Sequence, residues 1–205
     1  MKWALLVFAV ACSKPAAPHA DRFWPFFVAH ADQLRAEPLE PAMDQLQSAL
    51  EVDHHGVIAE LASLRDDRTL VLTADGDRAA FPDVQALYAA RPTVPHWTIV
   101  AFRQRDPARP LVAITSGSGA TFDPNPIRYV ADRTSDGKLD VALFVPGYTE
   151  RDAKLVYIAL DHLVGEYDVE TKLASIAIAP LDKAPAMAKP IAELPSDVDA
   201  LGSGA

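Results

Sequence analysis

The stretch "LDHLVGEYDVETKLASIAI", Leu160 to Ile178, contains a change of period, and that change decides the fold. Leading into it, Leu155, Val156, Ala159, Leu160, Leu163 and Val164 recur at three- and four-residue spacing, which predicts one buried helical face. Thr149, with Asp152 three residues on, resembles a capping box with a shortened acid, and Gly165 suits the C-cap. Past the glycine, Thr171 to Ile178 reads as a strand. Two further strands precede the helix: Ile127 to Arg133 and Lys138 to Val145 flank Ser135-Asp136-Gly137, whose Asp-Gly pair favours a tight hairpin turn. The order is therefore strand, strand, helix, strand.

The same order occurs earlier in the chain. Val57 to Leu64 and Thr69 to Ala74 are strand-length runs separated by Arg65-Asp66-Asp67-Arg68, and they predict a hairpin. Pro82 suits the first turn of a helix carrying Val84, Leu87 and Tyr88 and ending before Pro92. "HWTIVAF", His96 to Phe102, is apolar on both faces, as a strand covered on both sides should be. Ahead of this unit, Trp24, Phe27, Ala31 and Leu34, widened by Phe23 and Phe26, predict an amphipathic helix with Pro25 in its first turn. Met43, Leu46 and Leu50 predict a second helix after Pro38 and Pro41.

These elements predict a single α+β domain over 21–182: two N-terminal helices, then a mixed or antiparallel sheet built from two strand-strand-helix-strand units, with helices mainly on one face. Arg103 to Asn125 is rich in proline and glycine and reads as loop, with Leu111 to Thr115 an extra strand. Beyond Leu181 the prolines, alanines and the final "GSGA" predict a disordered tail over 183–205.

The N-terminus has its own logic. Lys2 precedes an uninterrupted apolar run, Trp3 to Ala11, and the chain's single cysteine, Cys12, follows at once. A basic start, an apolar core and small residues before a cleavage point form the layout of a secretory signal. Ala9-Val10-Ala11-Cys12 resembles a bacterial lipobox, with alanine where leucine is usual at the first position. The resemblance implies removal of residues 1–11 as a signal peptide, acylation of Cys12, and a Pro15/Pro18-containing tether over 12–20. It places the protein in the cell envelope, anchored to a membrane by lipid, and Ser13 favours the outer membrane by the same resemblance. The alternatives are a plain secretory signal and a mis-assigned start ahead of a cytoplasmic regulatory protein.

Composition narrows the functional classes. The 205 residues are 50% hydrophobic and 23% charged, as in ordinary globular proteins. A net charge of -9 repels a phosphate backbone, which argues against nucleic acid as a partner. One cysteine cannot form an intramolecular disulfide or a thiolate-clustered zinc site. "FWPFFVAHADQL" (23–34), "AFPDVQALYAARPTVPHWTIVAFRQR" (80–105) and "LDHLVGEYDVETKLASIAI" (160–178) resemble a family of bacterial proteins without assigned activity. That resemblance implies one continuous domain and brings no catalytic residues.

Candidate chemistry is sparse. His54-His55 reads as a helix C-terminal pair complementing the helix dipole, since adjacent histidines do not share a helical face. His96-Trp97 reads as a core edge at a strand start, and Asp161 with Lys154 as solvated helix surface. Ser116 in "TSGSG" lacks the strand-to-helix context of a nucleophile elbow, and its glycines lack the helix and lysine of a phosphate loop. No catalytic, metal or cofactor motif emerges. The one candidate polar cluster joins Arg103 and Arg105 to Glu166, Asp168 and Glu170, the acids alternating along an expected extended segment and pairing with the arginines across the sheet end. A calcium site from the same carboxylates is the sharper alternative. Together these readings favour a non-catalytic binding or envelope-associated domain, with a small hydrolase using His96 or His162 and carboxylates as the alternative.

Overall fold

The computed structural model describes residues 21–64, 67–106, 111, 113–115 and 121–202. Cys12, the signal and tether segments, and Ser116 lie outside these. Helix α1, Phe23–Ala36, buries the expected stripe of Phe23, Trp24, Phe27, Ala31 and Leu34. Asp21 Oδ1 accepts from the Phe23 backbone N–H at 2.9 Å and satisfies one of the donors a helix start leaves open. Helix α2, Leu39–Leu50, buries Ala42, Leu46 and Leu50 on the same core. Both buried indoles keep a partner: Trp24 Nε1 donates to Leu87 O, and Trp97 Nε1 donates to Ala31 O.

Strands β1 (Ile58–Leu64) and β2 (Asp67–Thr73) form the expected antiparallel hairpin. Helix α3, Phe81–Ala89, crosses over to β3, Trp97–Ala101, which lies parallel to β2 and completes a three-stranded sheet in the order β1-β2-β3. After a short two-stranded pair, β4 (Ile114–Thr115) with β5 (Thr121–Phe122), the chain builds a second hairpin from β6 (Arg128–Arg133) and β7 (Leu139–Val145). The capping box at Thr149 and Asp152 forms and leads through a short 3₁₀ turn into α4, Ala153–Val164. Helix α5, Glu166–Lys172, follows directly, and β8, Leu173–Pro180, then lies parallel to β7.

The molecule is thus mixed α+β with two leading helices, and three features correct the expected layout. The strands do not join in one sheet: β1-β2-β3 and a second sheet built on β8-β7-β6 are separate, each backed by its own apolar cluster. The first cluster centres on Phe27, Leu34, Leu70 and Leu72, the second on Tyr129, Leu143, Leu160 and Leu163. Glu166 to Thr171 is helical, because Asp168 and Lys172 pair at i,i+4 and Val169 turns into the second core. The region read as a disordered tail is structured through residue 202: β9 (Lys189–Pro190) pairs with β6, and α6 (Leu194–Asp199) presses Leu194 and Val198 onto the second core, beside Ile191. Its apolar residues fall at helical spacing, so burying them offsets the ordering cost that the prolines suggested would win.

Candidate functional site

The two sheets meet at a polar junction. Strand β3 ends where Phe102 adopts a positive φ of 60°, a left-handed turn that is unusual for a bulky side chain. Phe102 N–H still reaches Leu72 O at 2.7 Å, but the turn carries the next residue, Arg103, away from the sheet and toward the α4–α5 corner. At that corner Gly165 has φ +98°, and a Cβ there would sit 3.7 Å from Arg105 N. The positive φ favours glycine at this corner, and the next residue's amide, Glu166 N–H, donates to Arg103 O at 3.0 Å.

Glu166 is 1% exposed and its carboxylate is fully engaged. Oε2 accepts from Thr73 Oγ1 at 2.6 Å and from Arg103 N–H at 2.9 Å, while Oε1 accepts from Ala74 N–H at 3.0 Å. One side chain from the second half thereby satisfies two backbone donors and a hydroxyl at the strand ends of the first. Tyr167 beside it packs its ring against Phe81 and Phe102, adding an apolar seam to the same junction.

The Arg103 side chain, 7% exposed, is the centre of a second layer. Nε and Nη2 donate to Glu60, Nη2 also to Asp75 Oδ1 at 2.7 Å, and Nη1 to Asp161 Oδ2 at 2.8 Å. Burial lowers the proton affinity of the guanidinium, but Glu60 and then Asp75 and Asp161 outweigh it, so the group is held above its ordinary value. Asp161 responds in the opposite sense: burial raises its pKa to about 7 although Arg103 works against the rise. Shared among three acids, one guanidinium does not restore to Asp161 what it loses in leaving water. Asp75 is held below its usual range, because Arg103 and Lys154 exceed the effect of its partial burial.

A cleft of about 520 Å³ opens over this layer. Its floor is Arg103 with Asp75 and Asp161, and one wall is the exposed side of α4, where Tyr157 and Ile158 offer apolar surface. Lys154 and Glu170 line it as well, Lys154 Nζ lying 3.3 Å from Asp75 Oδ2 and Glu170 Oε2 accepting from Arg78 Nε at 2.9 Å. A volume of this size, part apolar and part charged, falls within the range of small-molecule sites.

The candidate polar cluster divides on inspection. Arg103 meets Glu166 through its backbone, whereas its side chain goes to Glu60, Asp75 and Asp161. Arg105 pairs with Asp199 at 3.0 Å, Asp168 with Lys172 and Glu170 with Arg78. The alternating acids are therefore spread around a helix and have separate partners, which corrects both the extended-segment reading and the calcium alternative built on it. Asp161, expected on the solvated face, is buried. Glu60 and Asp75 escaped sequence reasoning because each lies on a different element; the signal was an acid in each strand or turn that ends near Arg103.

The histidines take other places. His54 Nε2 lies 3.0 Å from Asp21 Oδ1 in the loop after α2, and His96 Nδ1 lies 2.9 Å from Asp67 at an exposed strand end. His162, next to Asp161, is exposed on α4, and partial desolvation of its ring lowers its pKa. Among the described residues, no group of three or more histidine, cysteine, aspartate or glutamate side chains is placed to hold a metal ion.

Compared with known proteins, the chain matches no family model and no curated protein.

Proposed function

We propose that this protein is a small-molecule-binding domain of the bacterial cell envelope, exported and tethered through acylated Cys12, and that the cleft beside α4 is its binding site. The observation that carries the reading is the cleft itself. Its floor is a rigid ion-pair network, its wall is the exposed apolar side of Tyr157 and Ile158, and it sits where the two sheets meet. Charged groups fixed by one another give a preformed surface that need not reorganise on binding. The two sheets, each an antiparallel hairpin extended by a parallel strand across a helical crossover, are read here as one repeated unit with the cleft at its junction. The three resembling stretches are read as the signature of a family built this way.

One observation favours a second reading. A buried carboxyl with a pKa of about 7 in a cleft has the proton affinity that acid–base chemistry needs at neutral pH, so Asp161 is the group through which a hydrolase would work. A fragment screen followed by NMR separates these readings. Binding predicts compounds that shift the Tyr157 and Ile158 signals and are recovered unchanged; hydrolysis predicts cleaved products that vanish in Asp161→Asn. Hits that leave the α4 signals still defeat both. For the anchor, palmitate labelling is expected in wild type and lost in Cys12→Ala; an unlabelled wild-type chain in the cytoplasm overturns it.

A further inference from the structure

Much of the hydrogen-bonding capacity on the cleft floor is already used; Lys154, 72% exposed, keeps spare N–H donors, and Asp161 and Glu170 keep spare acceptors. Arg103 spends Nε, Nη1 and Nη2 on carboxylates, so a bound anion would have to displace an acid to reach it. Asp75 spends Oδ1 on Arg103 and Oδ2 on Lys154. Among the described residues, Asp161 Oδ1 and Glu170 Oε1 accept no hydrogen bond, although their partner oxygens do. The Asp161 side chain is only 8% exposed, so its spare oxygen belongs to an almost buried carboxyl.

We propose that the cleft takes a primary amine with an apolar or aromatic body, its ammonium donating to Asp161 Oδ1 and Glu170 Oε1 and its body lying on Tyr157 and Ile158. This deepens the binding-site reading above and rests on it. An ammonium brings three N–H donors and no acceptor, which matches the spare carboxylate oxygens of Asp161 and Glu170. The Tyr157 ring, 40% exposed on the cleft wall, offers a face that attracts cations as well as alkyl carbon. Charge points the same way: Glu60, Asp75, Asp161, Glu166 and Glu170 stand around the junction against Arg78, Arg103 and Lys154. A divalent cation fits less well, since calcium takes six or more oxygens and most of those present are committed to arginine or lysine.

Binding should also release to solvent the proton that Asp161 holds near neutrality. Asp161 faces Arg103 directly, with Glu60 and Asp75 sharing that arginine, Glu166 and Glu170 opposite on α5, and Lys154 and His162 on its own helix. An ammonium needs the ionised acid, so amine affinity rises as pH passes upward through about 7.

The test is calorimetric titration of the full chain with three probes of one shape: phenethylamine, 2-phenylethanol and 3-phenylpropanoate. The amine is expected to bind about tenfold or more tightly than the alcohol, the worth of a hydrogen bond to a charged group, and the carboxylate least of all. Asp161→Asn should weaken the amine about tenfold and leave the alcohol unchanged. Glu170→Gln, which keeps an oxygen for Arg78, should weaken the amine in the same direction. If the alcohol or the carboxylate binds as well as the amine, the ammonium assignment is wrong while the binding cleft stands. If none of the three binds, the cleft reading falls with it.

Discussion

Replacing Glu166 by glutamine isolates the contribution of one buried carboxylate to the union of the two sheets. The wild-type side chain accepts from Thr73 Oγ1, Ala74 N–H and Arg103 N–H through two oxygens. Glutamine keeps one oxygen and turns an NH₂ toward at least one of those backbone N–H groups, whichever way the amide is flipped. A hydrogen bond to a charged group is worth about 1.5–3 kcal/mol, and a buried donor left unpaired costs about 1–3 kcal/mol. Removing the buried charge recovers part of this through easier desolvation. The net expectation is a loss of about 2–4 kcal/mol, which for a chain of this size lowers the melting temperature by about 10 °C. Urea denaturation and thermal melting followed by circular dichroism measure it. Thr73→Val completes a double-mutant cycle, and the pair should depart from additivity by about 1 kcal/mol because the two side chains are hydrogen-bonded to each other. A Glu166→Gln protein within about 0.5 kcal/mol of wild type would refute the reasoning, since surface substitutions stay within that margin.

Other consequences can be checked on the same preparations. The folded-state pKa of Asp161, about 7, lies above its value in an unfolded chain, so its contribution to stability is full below about pH 4 and is lost as pH rises through 7. Wild type should therefore lose stability relative to Asp161→Asn across that window in pH-dependent urea melts, with a slope approaching about 1.4 kcal/mol per pH unit; parallel curves count against it. Arg103→Met leaves Glu60, Asp75 and Asp161 without their shared cation and should destabilise by about 3–5 kcal/mol at neutral pH, less in acid where Asp161 is protonated. Gly165→Ala should cost about 1–3 kcal/mol through its backbone angle alone, since the nearest atom to the added carbon, Arg105 N at 3.7 Å, is at ordinary contact distance; an unchanged denaturation midpoint counts against it. Leu194→Ala should cost about 2–5 kcal/mol as a fully buried leucine, whereas a floating tail would show no change in the denaturation midpoint.

Local periodicity carried most of the secondary structure. Trp24, Phe27, Ala31 and Leu34 all face the core as their spacing implies, and the helix ending at Gly165 buries Val156, Ala159, Leu160, Leu163 and Val164. The Thr149–Asp152 box was readable because both partners lie within one turn. Glu166 to Thr171 misled because acids at alternate positions resemble a strand face, while the opposing cue, Asp168 with Lys172, depends on noticing one i,i+4 pair. Division into two sheets left no local trace, since each hairpin and parallel strand has the same pattern whether its edge meets a neighbour or not. The site was the least legible part. Glu60, Asp75 and Asp161 surround one guanidinium from three separate elements, and each taken alone reads as a polar surface residue.

The Glu166 clasp also constrains the order of events during synthesis. Every residue of the first core has been translated by Phe102, yet the acceptor for Ala74 N–H and Arg103 N–H arrives 63 positions after the nearer of the two. Until that glutamate emerges from the ribosome, the nascent first half carries donors that only water can satisfy, and the second half must still await Ile191, Leu194 and Val198 to cap its own interior.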